Sequence, residues 1–268
     1  MNSTNTSPKP FAVVTGASSG IGLELAKEFA RNGFDLLLAA EPGGLLAAAS
    51  EIQSLGANVQ TVGGDLTQAS GVDALYDAIK ATGRPVDAIA INAGVGVGGS
   101  FRETNLDEEL NLISLNVTST VHLAKHIVQD MAAHGSGRIL FTASVASLMP
   151  APFEAVYGAS KAFIFSFSEA LRNELKDTGV TVTALLPGVT ETNFFHRADM
   201  DNTVAGQSKK DDPADVARDG FSALMAGKDK VIAGSLKTKA MGLATEFLPP
   251  TVSAEMHRKM AEPGSRKE

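Results

Sequence analysis

Cysteine and tryptophan are both absent from this 268-residue chain. Without a thiol there is no disulfide framework and no thiolate to act as nucleophile or metal ligand. The same absence fits a reducing compartment, and a cytoplasmic location is expected. Basic charge is also short: 23 Lys and Arg stand against 30 Asp and Glu, a net charge of −7. A nucleic-acid partner, which needs a basic face to displace counterions from phosphates, is therefore not expected. No apolar run reaches the roughly 20 residues that span a bilayer. Residues 1–10 are polar with a single lysine, unlike a secretory signal. They read as a flexible N-terminus, and no membrane partner is expected. Histidine is scarce, with five residues. His122 and His126 are four apart and share a helix face. No carboxylate is placed by the sequence to complete a metal site there, so a surface or packing role is expected, with no metal. Tyrosine occurs only at Tyr76 and Tyr157.

What the chain does have is 44% hydrophobic residues, arranged as short β-like runs alternating with longer helical patterns. Strands are predicted at Phe11–Thr15, Phe34–Ala40, Asn58–Val62, Val86–Ile91, Arg138–Thr142, Val180–Leu186 and Lys230–Ala233. Helices are predicted at Gly20–Asn32, Gly43–Leu55, Gln68–Thr82, Leu106–Ala133, Ala155–Asp177 and Pro213–Ala226. Near-continuous Val, Ile, Leu and Ala in the strands imply burial on both faces, as in a parallel sheet. Regular alternation then implies an α/β fold, a doubly wound Rossmann-type, seven-stranded parallel sheet with helices on both faces. Residues 11–234 form one domain. Arg197–Asp212 reads as a mobile surface loop, and residues 235–268 as a helical extension with helices at Leu236–Phe247 and Val252–Met260.

The first strand runs into Thr15-Gly16-Ala17-Ser18-Ser19-Gly20-Ile21-Gly22, which opens the first helix. Glycines there let the backbone turn tightly and approach a ligand, and the helix N-terminus offers free N–H groups to a pyrophosphate. The second strand ends at Glu41, where a dinucleotide fold places an acidic residue against the adenosine ribose. A 2′-phosphate would be repelled by Glu41 and would want a cation. No Lys or Arg lies between Arg31 and Lys80. NAD is therefore favoured; NADP stays open, because Ser18 or Ser19 can bond a phosphate.

Tyr157 and Lys161 are four apart at the start of a helix, so both side chains share a face. A free phenol titrates near 10 and is a poor base at neutral pH; an adjacent ammonium favours the phenolate. Tyr76, with no such partner in sequence, reads as packing. Ser144 follows the strand Arg138–Thr142, and residues past the carboxyl ends of parallel strands face the ligand crevice.

Taken together, the Thr15–Gly22 turn, Asp65, Asn92-Ala93-Gly94, Asn116, Ser144, Tyr157-xxx-Lys161 and Pro187-Gly188 resemble, in order and spacing, the short-chain dehydrogenase/reductases. The resemblance runs from about Phe11 to Ala233. It implies hydride transfer between a nicotinamide cofactor and an alcohol or ketone carbon, with Tyr157 as general acid/base. Lys161 would lower the phenol's pKa and hold the nicotinamide ribose, and Ser144 would orient the carbonyl. Asn116 would hold a relay water. Asp65 and Leu66 would flank the adenine, although Asp65 could instead cap the helix near Gln68. Asn92, Ala93 and Gly94 would lie beneath the cofactor, and Pro187, Gly188, Val189 and Thr190 at its nicotinamide end. A mostly apolar substrate pocket is expected from Val145, Ala146, Leu148, Met149, Phe153, Val189, Phe194 and Phe195. Family members generally pair through the helices Leu106–Ala133 and Ala155–Asp177, so a homodimer or homotetramer is expected. Two alternatives stay open: an NADPH-dependent reductase of 3-oxoacyl thioesters, with Arg197, Lys209 or Lys210 meeting an anionic arm, and a non-catalytic nucleotide-binding scaffold.

Overall fold

A computed structural model describes residues 8–245 and 247–265. The seven strands are β1 (Phe11–Thr15), β2 (Asp35–Ala40), β3 (Val59–Gly63), β4 (Ala88–Ile91), β5 (Gly137–Thr142), β6 (Val180–Pro187) and β7 (Lys230–Ala233). They form one parallel sheet in the order β3-β2-β1-β4-β5-β6-β7. Winding reverses between β1 and β4, so a crevice opens at their carboxyl ends. The period-two alternation of strand residues divides the core in two. Val13, Leu37, Ile89 and Phe141 pack on one face. Val14, Leu36, Leu38, Ala90 and Leu140 pack on the other. Five of the seven strands are nearly continuous in burial, and β7, at one edge, is only half-buried at Lys230 and Val231. Edge strand β3 is exposed at Gln60, Thr61 and Gly63, because no strand flanks it on its outer side.

Helices α1 (Gly20–Arg31), α2 (Leu45–Gln53) and α9 (Pro213–Met225) cover one face, with Leu25, Phe29, Ile52, Val216 and Leu224 buried beneath them. Helices α3 (Ala69–Ala81), α5 (Ser119–His134) and α6 (Ala155–Glu174) cover the other, through Leu75, Ile79, Ile127 and Ile164. The predicted single helix Leu106–Ala133 is interrupted. Helix α4 (Leu106–Ile113) passes through a π turn, Ser114–Thr118, before α5. Asn105 starts it by accepting from the amides of Asp107 and Glu108, the usual amide-to-Asn cap.

Two expectations need correction here. Arg197–Asp212 is not an open loop: Ala198, Met200, Thr203 and Ala205 are buried. Short helix α7 (Phe194–Arg197) leads into it, α8 (Val204–Gln207) lies within it, and Asp211 donates its amide to the Val189 carbonyl. Its apolar residues pair with the extension, whose helices are α10 (Leu236–Thr245) and α11 (Pro250–Ala261): Phe195, Met200, Ala205 and Ala261 form a third small core. Nor is Tyr76 mere packing. Its hydroxyl donates to Asp130 and its ring stacks on His126. Among the described residues, no helix is long and apolar enough to cross a membrane. The predicted flexible N-terminus falls mostly on residues 1–7, outside the described residues.

Candidate active site

The turn after β1 is shaped by close backbone approach. A Cβ on Gly22 would lie 2.2 Å from the Gly16 carbonyl oxygen and 2.6 Å from Asn92 Nδ2, so no larger residue fits. Ser19 precedes α1 in an extended conformation and its side chain does not cap the helix. The first-turn N–H groups, with no side-chain acceptor from Ser19, therefore face the crevice. Beneath them, Thr15 Oγ1 accepts from the amides of Asn92 and Ala93, and Asn92 Nδ2 donates to the Thr15 carbonyl. Thr142 Oγ1 donates to Asn92 Oδ1. One asparagine thus ties the carboxyl ends of β1, β4 and β5, and the sequence motif Asn92-Ala93-Gly94 serves to hold the crevice floor together.

Above this floor lies a cavity of about 390 Å³. Gly16, Ser18, Ser19, Gly20, Ile21, Gly22, Glu41, Asp65, Leu66, Asn92, Ala93 and Gly94 line one end; Ser144, Tyr157, Lys161, Pro187, Gly188, Val189 and Thr190 line the other. Its linings fit a dinucleotide, with the Thr192 side chain packed against the glycine turn at Gly20. At the Glu41 end, none of the described lining residues is Lys or Arg. Asp65 does not cap α3. Its carboxylate accepts from the amide and hydroxyl of Thr67, a local turn, while the helix begins past Gln68.

Lys161 reaches this site from α6. Its ammonium is buried and donates to the Thr142 carbonyl at 2.9 Å. Asn116, in the π turn, is buried as well. Its Oδ1 accepts from the Val95 amide, and its Nδ2 donates to the Val95 carbonyl and to Ser160 Oγ. Ser160 Oγ in turn donates to the Tyr157 carbonyl. The side-chain amide of Asn116 is thus spent on joining the loop after β4, the π turn and α6, and both of its protons are committed. A Cβ at Gly94 would meet Asn116 Oδ1 at 3.1 Å and Lys161 Nζ at 3.2 Å, so the two polar groups converge on one point beside the cavity.

The electrostatics differ from the sequence expectation. Lys161 Nζ stands 5.9 Å from the Tyr157 ring centroid and does not dominate the phenol. Burial pushes Tyr157 well above its ordinary value; the Glu154 carboxylate pushes the same way, and a hydrogen bond with Ser144 opposes them. Burial also pushes the Lys161 ammonium down to about 8. Desolvation penalises each charged form, and it outweighs the pairing that spacing alone suggested. Ser144 also caps the short turn Val145–Leu148, accepting from the Ala146 amide.

Of the predicted pocket residues, Val145, Ala146, Met149, Val189, Phe194 and Phe195 line the cavity, and the Phe194 ring sits 5.1 Å from that of Tyr157. Phe153 and Leu148 do not. Phe153 takes a left-handed backbone (φ 65°) and packs against the third core under the Arg258 guanidinium. Leu148 packs into the main core. Sequence reasoning missed the far wall: Met241, Thr245, Met256, His257 and Met260 come from α10 and α11. It also missed Glu154, buried three residues before Tyr157, with His257 Nε2 3.4 Å from its carboxylate. The Glu154–Tyr157 spacing was readable; the arrival of His257 was not.

Residues 10–203 match the short chain dehydrogenase family. The chain belongs to that family. It is an oxidoreductase of the kind that uses NAD or NADP. A short-chain type dehydrogenase/reductase of Sinorhizobium fredii is 37% identical over 188 residues, 70% of this chain and 72% of that one. A short-chain dehydrogenase/reductase of Burkholderia phymatum in complex with NAD superposes with a TM-score of 0.79 at 27% identity, covering 95% of this chain and 97% of that one. A Sphingobium yanoikuyae short-chain dehydrogenase in complex with NADPH gives 0.77 at 29% identity, covering 83% and 87%.

The buried ammonium yields a stability prediction. An amine whose folded value falls to about 8 costs stability at neutral pH, where it is charged in both states. The cost fades as pH rises through that value toward the unfolded one. Lys161→Met is expected to raise the unfolding midpoint at pH 7, by roughly 1–3 kcal/mol of stability, while abolishing turnover. Denaturant unfolding beside an activity assay checks both; a clear loss of stability would contradict the charge-burial reading.

Proposed function

We propose that this protein interconverts an apolar alcohol and its ketone or aldehyde, with NAD(H) as preferred cofactor. When bound, the dinucleotide accepts or donates the hydride. The chain's residues do the rest. The first turn of α1 and the glycines before it hold the pyrophosphate, Glu41 takes the adenosine ribose hydroxyls, and Asp65 and Leu66 flank the adenine. Pro187, Gly188, Val189 and Thr190 bound the nicotinamide end. Ser144 donates a hydrogen bond to the substrate oxygen while Tyr157 gives it a proton in reduction and removes one in oxidation. Lys161 holds the nicotinamide ribose and supplies positive charge. Asn116 keeps the π turn against α6 and, through its remaining oxygen lone pair or its backbone, holds a relay water.

The observation that carries this reading is one cavity that runs from Glu41 to Tyr157, with Ser144 and Lys161 at its closed end. The apolar substrate follows from Val145, Met149, Phe194, Met241, Met256 and Met260 around Tyr157. A panel of ketones and alcohols, including a 3-oxoacyl thioester, assayed with each cofactor, identifies the substrate class. Tyr157→Phe is expected to lower kcat at least a thousandfold on whichever compound reacts, with NAD affinity changed less than threefold. Retained turnover contradicts the assignment. Glu41→Ala is expected to narrow the ratio of NAD to NADP efficiency about tenfold or more. An unchanged ratio shows that Glu41 does not read the ribose.

Self-association belongs to the same proposal. Phe101, Ile113, Val117, Val156, Ala159 and Phe163 line an apolar groove between α4 and α6, and Phe101 is 65% exposed. Such a contiguous patch favours a second copy of the chain. Phe163→Asp is expected to reduce a dimer or tetramer to smaller species in sedimentation; an unchanged mass contradicts that face.

A further inference from the structure

Away from the cavity, α3 and α5 bring together three groups that the activity does not use. His122 and His126 lie one turn apart on α5, and the facing helix α3 supplies Asp73, the carboxylate that the sequence alone did not place. His122 Nε2 and Asp73 Oδ1 are 3.0 Å apart. Each of the three residues offers a ligand atom, and these atoms all lie within 4.8 Å of one another. Three points so spaced share a centre about 2.8 Å or less from each, so a contraction of under about 1 Å reaches the roughly 2.0–2.2 Å of Zn–N and Zn–O bonds.

The rings are also held before any ion arrives. The Tyr76 ring stacks on His126 at 4.3 Å and 16°. Its hydroxyl donates to Asp130, which Lys80 also binds at 3.0 Å. That chain of contacts fixes the plane of His126 and pairs Lys80 with Asp130. The imidazole rings of His122 and His126 tilt at 45° with centroids 5.3 Å apart, so their nitrogens can point to a common ion. Asp73 is exposed, which leaves a fourth position to water.

We propose that Asp73, His122 and His126 bind a divalent borderline cation of the zinc class, clamping α3 to α5. Two imidazoles and one carboxylate suit Zn²⁺, Ni²⁺ or Cu²⁺; Mg²⁺ and Ca²⁺ demand more oxygen ligands than the site offers. The ion crosslinks two helices that both pack on the same sheet face, and α5 continues directly from the π turn that carries Asn116.

The test uses tag-free, chelator-treated full-length protein titrated calorimetrically with zinc chloride, with magnesium chloride as control. One saturable Zn²⁺ per chain, no Mg²⁺ response and a higher Tm in the presence of Zn²⁺ are expected. His126→Gln and, separately, Asp73→Asn should each weaken Zn²⁺ binding at least tenfold, with circular dichroism unchanged. His196→Gln, beside the exposed Asp201, should leave it intact. Absence of saturable Zn²⁺ binding by the wild type overturns the proposal, as does equal affinity in His126→Gln, or loss of the site in His196→Gln alone. None of these readouts depends on turnover.

Discussion

The site depends on one buried cation. Lys161 carries its ammonium into the sheet's carboxyl edge and spends a hydrogen bond on the Thr142 carbonyl. A charge in that position is expensive. It is tolerated because the surrounding backbone is held in place: Thr15, Asn92 and Thr142 bind one another across three strands, and Asn116 ties the loop after β4 to α6. Those bonds leave the strand ends splayed enough to admit a ligand and rigid enough to present the ammonium. The same enclosure raises the pKa of the Tyr157 phenol. The phenol is thus held neutral, while the ammonium, lowered to about 8, still carries its charge at neutral pH at a desolvation cost. An oxidised nicotinamide bound beside the pair would add a second positive charge and favour the phenolate.

Much of this was legible in the sequence because it rests on local rules. Strand and helix positions followed from period and composition, and the seven strands stand within about two residues of their predicted ends. Gly22 was readable because a strand-to-helix turn at a phosphate site leaves no room for Cβ. Tyr157 and Lys161 were readable because a helix puts residues four apart on one face. What was not legible was tertiary. Spacing shows that Lys161 and Tyr157 share a face, but not that the ammonium turns to Thr142 while burial governs the phenol. The π turn at Ser114–Thr118 leaves no mark in an apolar periodicity that continues through it. Asp73 lies 49 residues before His122 in the chain, so only the packing of α3 on α5 could bring them together.

The C-terminal extension teaches the same lesson about walls. Residues 204–265 lie beyond the segment that matches the family, yet α10 and α11 supply Met241, Met256, His257 and Met260 to the cavity. The stretch Arg197–Asp212 looked mobile because it is polar and turn-rich. It is packed rather than open because its few apolar residues, Ala198, Met200 and Ala205, find Phe195 and Ala261. Flexible, polarizable methionines make this wall adaptable in shape. The cavity wall around Tyr157 thus combines residues of the family-matched segment, such as Val145, Met149 and Phe194, with Met241, Met256 and Met260 from beyond it.

The absence of tryptophan, and the presence of only two tyrosines, makes the central claim directly measurable. In a Tyr76→Phe background Tyr157 is the sole phenol, and its ionisation is read from phenolate ultraviolet absorbance against pH. Without dinucleotide the phenol should stay protonated past the ordinary value near 10. Saturation with NAD⁺ should make it at least a hundredfold more acidic. A phenol that ionises at its ordinary value in the free protein, or that does not respond to NAD⁺, would contradict the account.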